Sequence, residues 1–253
     1  GAGWAVIRAA VEIRVMRSMA LPPEVTFQTD PVGIKVTGRS PISVRSVTFG
    51  QEVFSLGKGE DTRARILDEA MRQVSVRGMT GVSLGDLAIG MNLSKSGVLK
   101  HFQSMEALQL ALLEAMTERF IAEVWTPVEP LSPGRERLEK LFERELVWND
   151  GENLPGGCPM NLPGGCPLTS ITTELDDQPG PLRDKLKESR IRWALALKRE
   201  FRALRPEADD TTLETMAFQW KGILLAYGHS KRLLDDDAAK AQATAAYRML
   251  IGG

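Results

Sequence analysis

SLGDLAIGMNLSKSGVLKHFQSMEAL, residues Ser83 to Leu108, reads as two short helices joined by a tight turn. Leu84, Leu87, Ala88 and Met91 fall on one helical face. Asn92 follows, where a turn needs a residue that tolerates positive φ. Ser94 is a good N-cap for a second helix, predicted to run to about Phe102. Val98 and Phe102, spaced i, i+4, face inward in that helix. Lys95, Ser96, Gly97, Lys100 and His101 remain for the outer face. A short helix that opens with small and cationic residues suits a major-groove reader. Spacing alone also fits an ordinary helix pair in an all-α core.

The helical period extends both ways. Upstream, from Asp61, Ile66, Leu67, Ala70, Met71 and Val74 form an apolar stripe that Gly78 ends. Downstream, Ser104 caps a long helix with Leu108, Ala111, Leu112 and Ala115 inward, expected to reach about Val124. Ser132-Pro133 is read as the start of the next, with Leu138, Leu141, Phe142 and Leu146 on one face and an end near Trp148. A short helix is expected from Leu168 to Asp176 and a long one from Leu182 to Leu204. Two more are expected over about 209–234 and 236–250, the last rich in alanine, which lets helices approach closely. The fold class is therefore all-α: three helices around the turn, followed by about six more.

Composition is that of an ordinary soluble globular chain of 253 residues with net charge −1. Residues 58–108 carry seven Lys/Arg against six Asp/Glu, so DNA binding there must rest on where the cations lie. No run of about 18 apolar residues occurs, so no membrane span is expected. Arg8, Arg14 and Arg17 break the apolar start, which argues against an export signal. The two cysteines, Cys158 and Cys166, make no disulfide framework and fit a reducing cytoplasm. Without a nearby His cluster they read as structural thiols, and no metal or cofactor is expected. No Ser-His-Asp order, carboxylate pair or phosphate loop points to an enzyme.

Two segments stand apart. Residues 1–57 lack helical periodicity beyond a possible helix over Trp4 to Met19, with weak strands possible at Ile34–Thr37 and Ile42–Phe49. They read either as an over-extended start or as a genuine small extension. The loop from Asp150 to Pro167 holds a tandem repeat, NLPGGCPM then NLPGGCPL, in which one copy looks inserted.

SKSGVLKHFQSMEAL resembles the recognition-helix signature of the TetR/AcrR transcriptional regulators. DTRARILDEAMRQVSVRGMTGVSLGDLA resembles the first helix, glycine and second-helix cap of that family. PGGCPL with ELDDQPGPLRDKL resembles the C-terminal domain of one subgroup. The resemblance implies a DNA-binding domain over 58–104 and a ligand-binding, dimerising domain over 105–253. It implies a ligand-responsive regulator, a repressor that leaves a palindromic double-stranded operator when a small-molecule effector binds. The last two helices would pair two copies as a four-helix bundle. The residues implied at DNA are Thr62, Arg63, Ser83, Ser94, Lys95, Ser96, Gly97, Leu99, Lys100 and His101. Leu99 and Met105 stand where the family usually has Tyr and Lys, which implies weaker phosphate anchoring. Phe120, Trp148, Cys166, Trp193, Phe218 and Trp220 are the candidates for a ligand cavity. The alternative is a helical binding protein or enzyme of the same architecture that no longer binds DNA.

Overall fold

A computed structural model describes residues 58–150 and 165–252. Among them are nine α-helices: α1 (Lys58–Arg77), α2 (Leu84–Met91), α3 (Lys95–Leu99), α4 (Met105–Phe120), α5 (Arg135–Asn149), α6 (Pro167–Leu175), α7 (Pro181–Leu204), α8 (Asp210–Leu233) and α9 (Ala239–Ile251). The expected extension over 1–57, most of the tandem repeat and Cys158 lie outside the described residues. One apolar core runs from α1 to α9, so each helix buries a single stripe.

The first three helices follow the sequence reading closely. Ile66, Ala70, Met71 and Val74 of α1 are buried, and Gly78 ends the helix at φ 74. Leu87 and Ala88 of α2 and Val98 of α3 close the small core with Phe102. The recognition helix is shorter than expected. It stops at Leu99, and the His101 amide bonds back to the Val98 carbonyl at 3.0 Å, a tightened last turn. Lys100 and His101 therefore follow the helix instead of lying on it.

Ser104 caps α4, accepting from the Ala107 amide at 3.0 Å. The chain does not continue as α-helix to Val124. After Phe120 it widens into a π-turn over Ile121–Trp125, closed by the Thr126 amide on the Ile121 carbonyl at 2.9 Å. Arg144 of α5 donates to the Glu123 carbonyl from both Nε, at 2.8 Å, and a terminal nitrogen. That outside donor compensates for the irregular ladder.

Helix α5 begins at Arg135, not at Ser132-Pro133. Gly134 turns at φ 93, and its amide is taken by the buried Glu200 carboxylate at 3.0 Å. A side chain 66 residues away thus determines where the helix starts. Likewise α9 begins at Ala239 instead of Asp236, because Asp235 turns at φ 50 and Asp236 Oδ1 accepts from the Ala238 amide. Leu138, Leu141, Phe142 and Leu146 form the buried stripe of α5 as expected. Helices α8 and α9 pack along each other, and Phe142 stacks on Tyr247 between them and α5, 4.3 Å apart and nearly parallel.

Candidate DNA-binding and effector sites

The turn between α2 and α3 is built by three polar residues. Ser83 Oγ accepts from the Asp86 amide at 3.1 Å and caps α2. Asn92 adopts the left-handed conformation at φ 53, and the following Leu93 amide closes on the Ala88 carbonyl at 2.8 Å. Ser94 Oγ accepts from the Gly97 amide at 3.0 Å and opens α3. With Val98 wholly buried, Lys95, Ser96, Leu99 and Lys100 are left exposed on the outer face and His101 half-buried beside them. Gly97 sits among them with only the Ser94 hydroxyl and Leu93 near the position of a Cβ.

Besides Ser94 and Ser96, whose hydroxyls lie 2.9 Å apart, two more of the expected contact residues are already engaged within the fold. Ser83 Oγ also donates to Asp86 Oδ2 at 2.9 Å, and Arg77 reaches the same carboxylate at 3.3 Å. The Arg63 guanidinium lies over the Phe102 ring, 4.6 Å from its centre. It clamps α1 onto the end of the recognition segment. Thr62 is half-buried one residue earlier. Met105, where the resemblance expects a lysine, packs half-buried against the core as the first residue of α4.

The six residues expected to meet ligand line one cavity of about 500 Å³: Phe120, Trp148, Cys166, Trp193, Phe218 and Trp220. That size lies within the usual range for small-molecule sites, roughly 300–1,000 Å³. Phe120 meets Trp148 and Trp193 edge to face at 5.6 and 4.9 Å. Trp148 Nε1 donates to Cys166 Sγ at 3.1 Å. Phe218 is 67% exposed at the cavity rim, with Lys221 Nζ 5.1 Å from its ring centre.

Two charged residues on this wall escaped the sequence reading. Glu145 of α5 is buried, with Oε2 accepting from Trp220 Nε1 at 3.3 Å and Oε1 unpartnered. Burial pushes its carboxyl up to about 8, against the opposing pull of Trp220 and the positive charge of Arg190, so it is mostly protonated at neutral pH. Arg190 of α7 lines the same cavity, and its Nε is buried without a hydrogen-bond partner. Burial lowers its pKa, offset in part by Cys166 and Glu145. A signal existed for both. Glu145 continues the Leu138–Phe142 stripe, and Arg190 lies four residues after the buried Leu186.

Helix α6 joins this cavity to the DNA-binding helices. Cys166 at its N-cap and Thr169, Thr172 and Thr173 face the cavity. Next to them, Glu174 takes the amides of Met79 and Thr80, each at 2.6 Å, and the Thr80 hydroxyl. These donors belong to the turn between α1 and α2. Burial raises the Glu174 pKa, but the Thr80 and Met79 donors outweigh it and hold the carboxyl below its usual range. Gly78 adjoins this grip: a Cβ there would come within 2.7 Å of Glu174 Oε2. A second tie is the buried Arg119 of α4, whose Nε binds Glu123 at 2.9 Å while a terminal nitrogen reaches Asp68 of α1 at 3.6 Å.

A second, more open groove of about 810 Å³ follows α8 and α9. Small residues line it, including Gly222, Ala226, Ala243 and Ala246, and Met249 beside them is 77% exposed. Among the described residues no His/Cys/Asp/Glu group is arranged to hold a metal, and no helix is long and apolar enough to cross a membrane.

A helix-turn-helix with an exposed reading face, ahead of a helical body that encloses an aromatic cavity, defines a ligand-binding DNA regulator. The family model described as bacterial regulatory proteins, tetR family, matches residues 66–112. The model described as tetracyclin repressor-like, C-terminal domain, matches residues 160–247. The chain belongs to the TetR family of transcriptional regulators. No curated protein matches it in sequence. Among solved structures it is similar to a TetR-family transcriptional regulator from Cytophaga hutchinsonii, with 24% identity over 79% of this chain and 97% of that one and a TM-score of 0.62. A TetR regulator from Chloroflexus aurantiacus J-10-FL has 21% identity over 77% of this chain and 94% of its own, with a TM-score of 0.64. AibR, solved with isovaleryl coenzyme A and operator DNA, has 20% identity over 72% and 95%, with a TM-score of 0.55. At these identities the structural likeness speaks for the fold.

Proposed function

We propose that the protein is a dimeric repressor that leaves a palindromic operator when a small molecule enters the cavity of the helical body. The observation that carries this reading is the double role of α6. Three threonines of one nine-residue helix face the cavity, and the next residue, Glu174, grips the turn behind the helix-turn-helix. A ligand that displaces α6 therefore moves the α1–α2 turn. Effector and operator then oppose each other through one equilibrium.

On DNA, Lys95, Ser96, Gly97 and Leu99 enter the major groove, and Lys100 and His101 reach bases or phosphates from the turn that follows. Ser94 and Ser83 hold the helix ends against the backbone, while Thr62 and Arg63 flank it from α1. One reading helix per chain covers half a site, so two copies are needed. The groove of small residues along α8 and α9 supports a self-complementary bundle between them.

Footprinting on the DNA that flanks its own gene tests this reading. Two-fold symmetric protection by a dimer is expected. Protection without symmetry, or binding by a monomer, would count against it. The exposed Leu99 and the half-buried Met105, in place of the family's usual polar residues, keep a second reading in view, a helical binding protein without DNA affinity. Absence of any shift on that DNA would favour it.

A further inference from the structure

Most of the cavity wall is apolar and aromatic, which any flat small molecule satisfies. Among its polar residues Arg190 stands out. It projects from α7 between the buried Leu186 and the half-buried Trp193, keeps accessible surface on the cavity, and makes no ion pair among the described residues. Its Nε has no hydrogen-bond partner among the described residues. Guanidinium does not discharge its proton in proteins, so it cannot escape burial by becoming neutral. An uncompensated charge enclosed by protein is costly, and the cost is relieved by an anion.

Among the described residues the other charges around the cavity do not supply that anion. Glu145 is a hydrogen-bonded neighbour on the same wall, but burial keeps it largely protonated at neutral pH. Glu214 at the rim is taken by Lys198 at 2.8 Å. Lys221 lies over the Phe218 ring at the rim and adds positive charge. The wall thus combines flat aromatic faces with a planar cation that makes no ion pair among the described residues. A fork of N–H donors suits a carboxylate, and Phe120, Trp148, Trp193 and Trp220 suit a ring.

We propose that the cavity takes an aromatic carboxylate, its anionic group held by Arg190 and its ring enclosed by Phe120, Trp148, Trp193 and Trp220. The protonated Glu145 is a neutral neighbour that does not repel the anion. This assignment rests on the reading of the cavity as the effector site and adds the charge and shape of the effector.

Three of the chain's five tryptophans line the cavity, so ligand entry is read as a change in intrinsic fluorescence. The probes are 1-naphthoate, the neutral 1-naphthamide and the cationic 1-naphthylmethylammonium, titrated into the full chain. Naphthoate is expected to bind about tenfold or more tighter than the amide, as for a charge-assisted bidentate pair, and the cation weakest. Arg190→Gln should remove most of the naphthoate advantage and leave the amide within about threefold. Equal binding of all three probes to the wild-type protein would overturn the proposal without any variant. So would an Arg190→Gln variant that weakens naphthoate and naphthamide alike, or a failure of all three to bind. Operator release is measured in parallel. If naphthoate binds through Arg190 but leaves operator affinity unchanged, the ligand class stands and the release mechanism fails.

Discussion

Glu174→Ala cuts the most direct link between the cavity and the DNA-binding helices. The wild-type carboxylate accepts from two amides at 2.6 Å and from one hydroxyl. The Thr80 donors lie at an exposed residue, so water replaces the lost acceptor at small net cost. The Met79 amide is at a buried residue, and leaving it unpaired costs about 1–3 kcal/mol. Together the loss is about 2–4 kcal/mol. For a body of about this size, each kcal/mol moves Tm by roughly 2–4 °C, so the variant should melt about 4–16 °C lower. Glu174→Gln keeps one acceptor oxygen and should lose about half as much. The carboxyl is held below its ordinary range in the fold. Its contribution is therefore full above the unfolded pKa and fades as pH falls through the folded one. Wild type and Glu174→Ala should differ constantly at neutral pH and converge in acid. Hydrogen exchange at Met79 and Thr80 should quicken in the variant. Any compound that releases the wild-type operator complex should lose most of its effect. Coupling between sites is usually worth about 1–3 kcal/mol, so the change in release ratio is measurable by gel shift. A folded Glu174→Ala protein with wild-type melting and an undiminished release ratio would refute the reasoning.

Glu145→Gln should change the pH dependence of stability. Wild-type Glu145 titrates at about 8 in the fold against 4.5 unfolded, so unfolding between these values releases a proton and stability falls as pH rises. The contribution amounts to a few kcal/mol across that window, on the order of 1.4 kcal/mol per unit. Denaturant titrations at pH 5, 7 and 9 should show the variant gaining on wild type as pH rises, and parallel curves would contradict the assignment. At the recognition segment, Lys95→Ala and Lys100→Ala should each weaken operator binding. A phosphate contact by Lys100 predicts a salt slope lowered by about one across all sequences. A base contact predicts a loss of about 1–3 kcal/mol at one operator position. Full affinity in both variants would mean that this face does not meet DNA.

Local chemistry made much of this protein legible in its sequence. Asn92 between two apolar stripes, with Ser83 and Ser94 before them, marks two short helices joined by a left-handed turn, because caps and such turns are decided within a few residues. Periodicity likewise marks the buried faces of α1, α4 and α5. Boundaries that depend on distant partners were not readable: Gly134 begins α5 because Glu200 takes its amide, and the π-turn after Phe120 is supported by Arg144. The family resemblance implied the six aromatic and thiol candidates, but only packing brings them around one cavity. Arg190 and Glu145 stand in register with buried apolar stripes, but that spacing alone does not make them site residues. A charged residue on a helix is ordinarily solvated, and its burial is a property of the neighbouring helices. Glu174 is the clearest case. It meets Met79 and Thr80 across 95 and 94 residues of chain, and no pattern within α6 announces the contact. Caps and stripes are written locally and survive in any context. The link between cavity and DNA-binding helices exists only once the tertiary fold brings separate helices within hydrogen-bond reach.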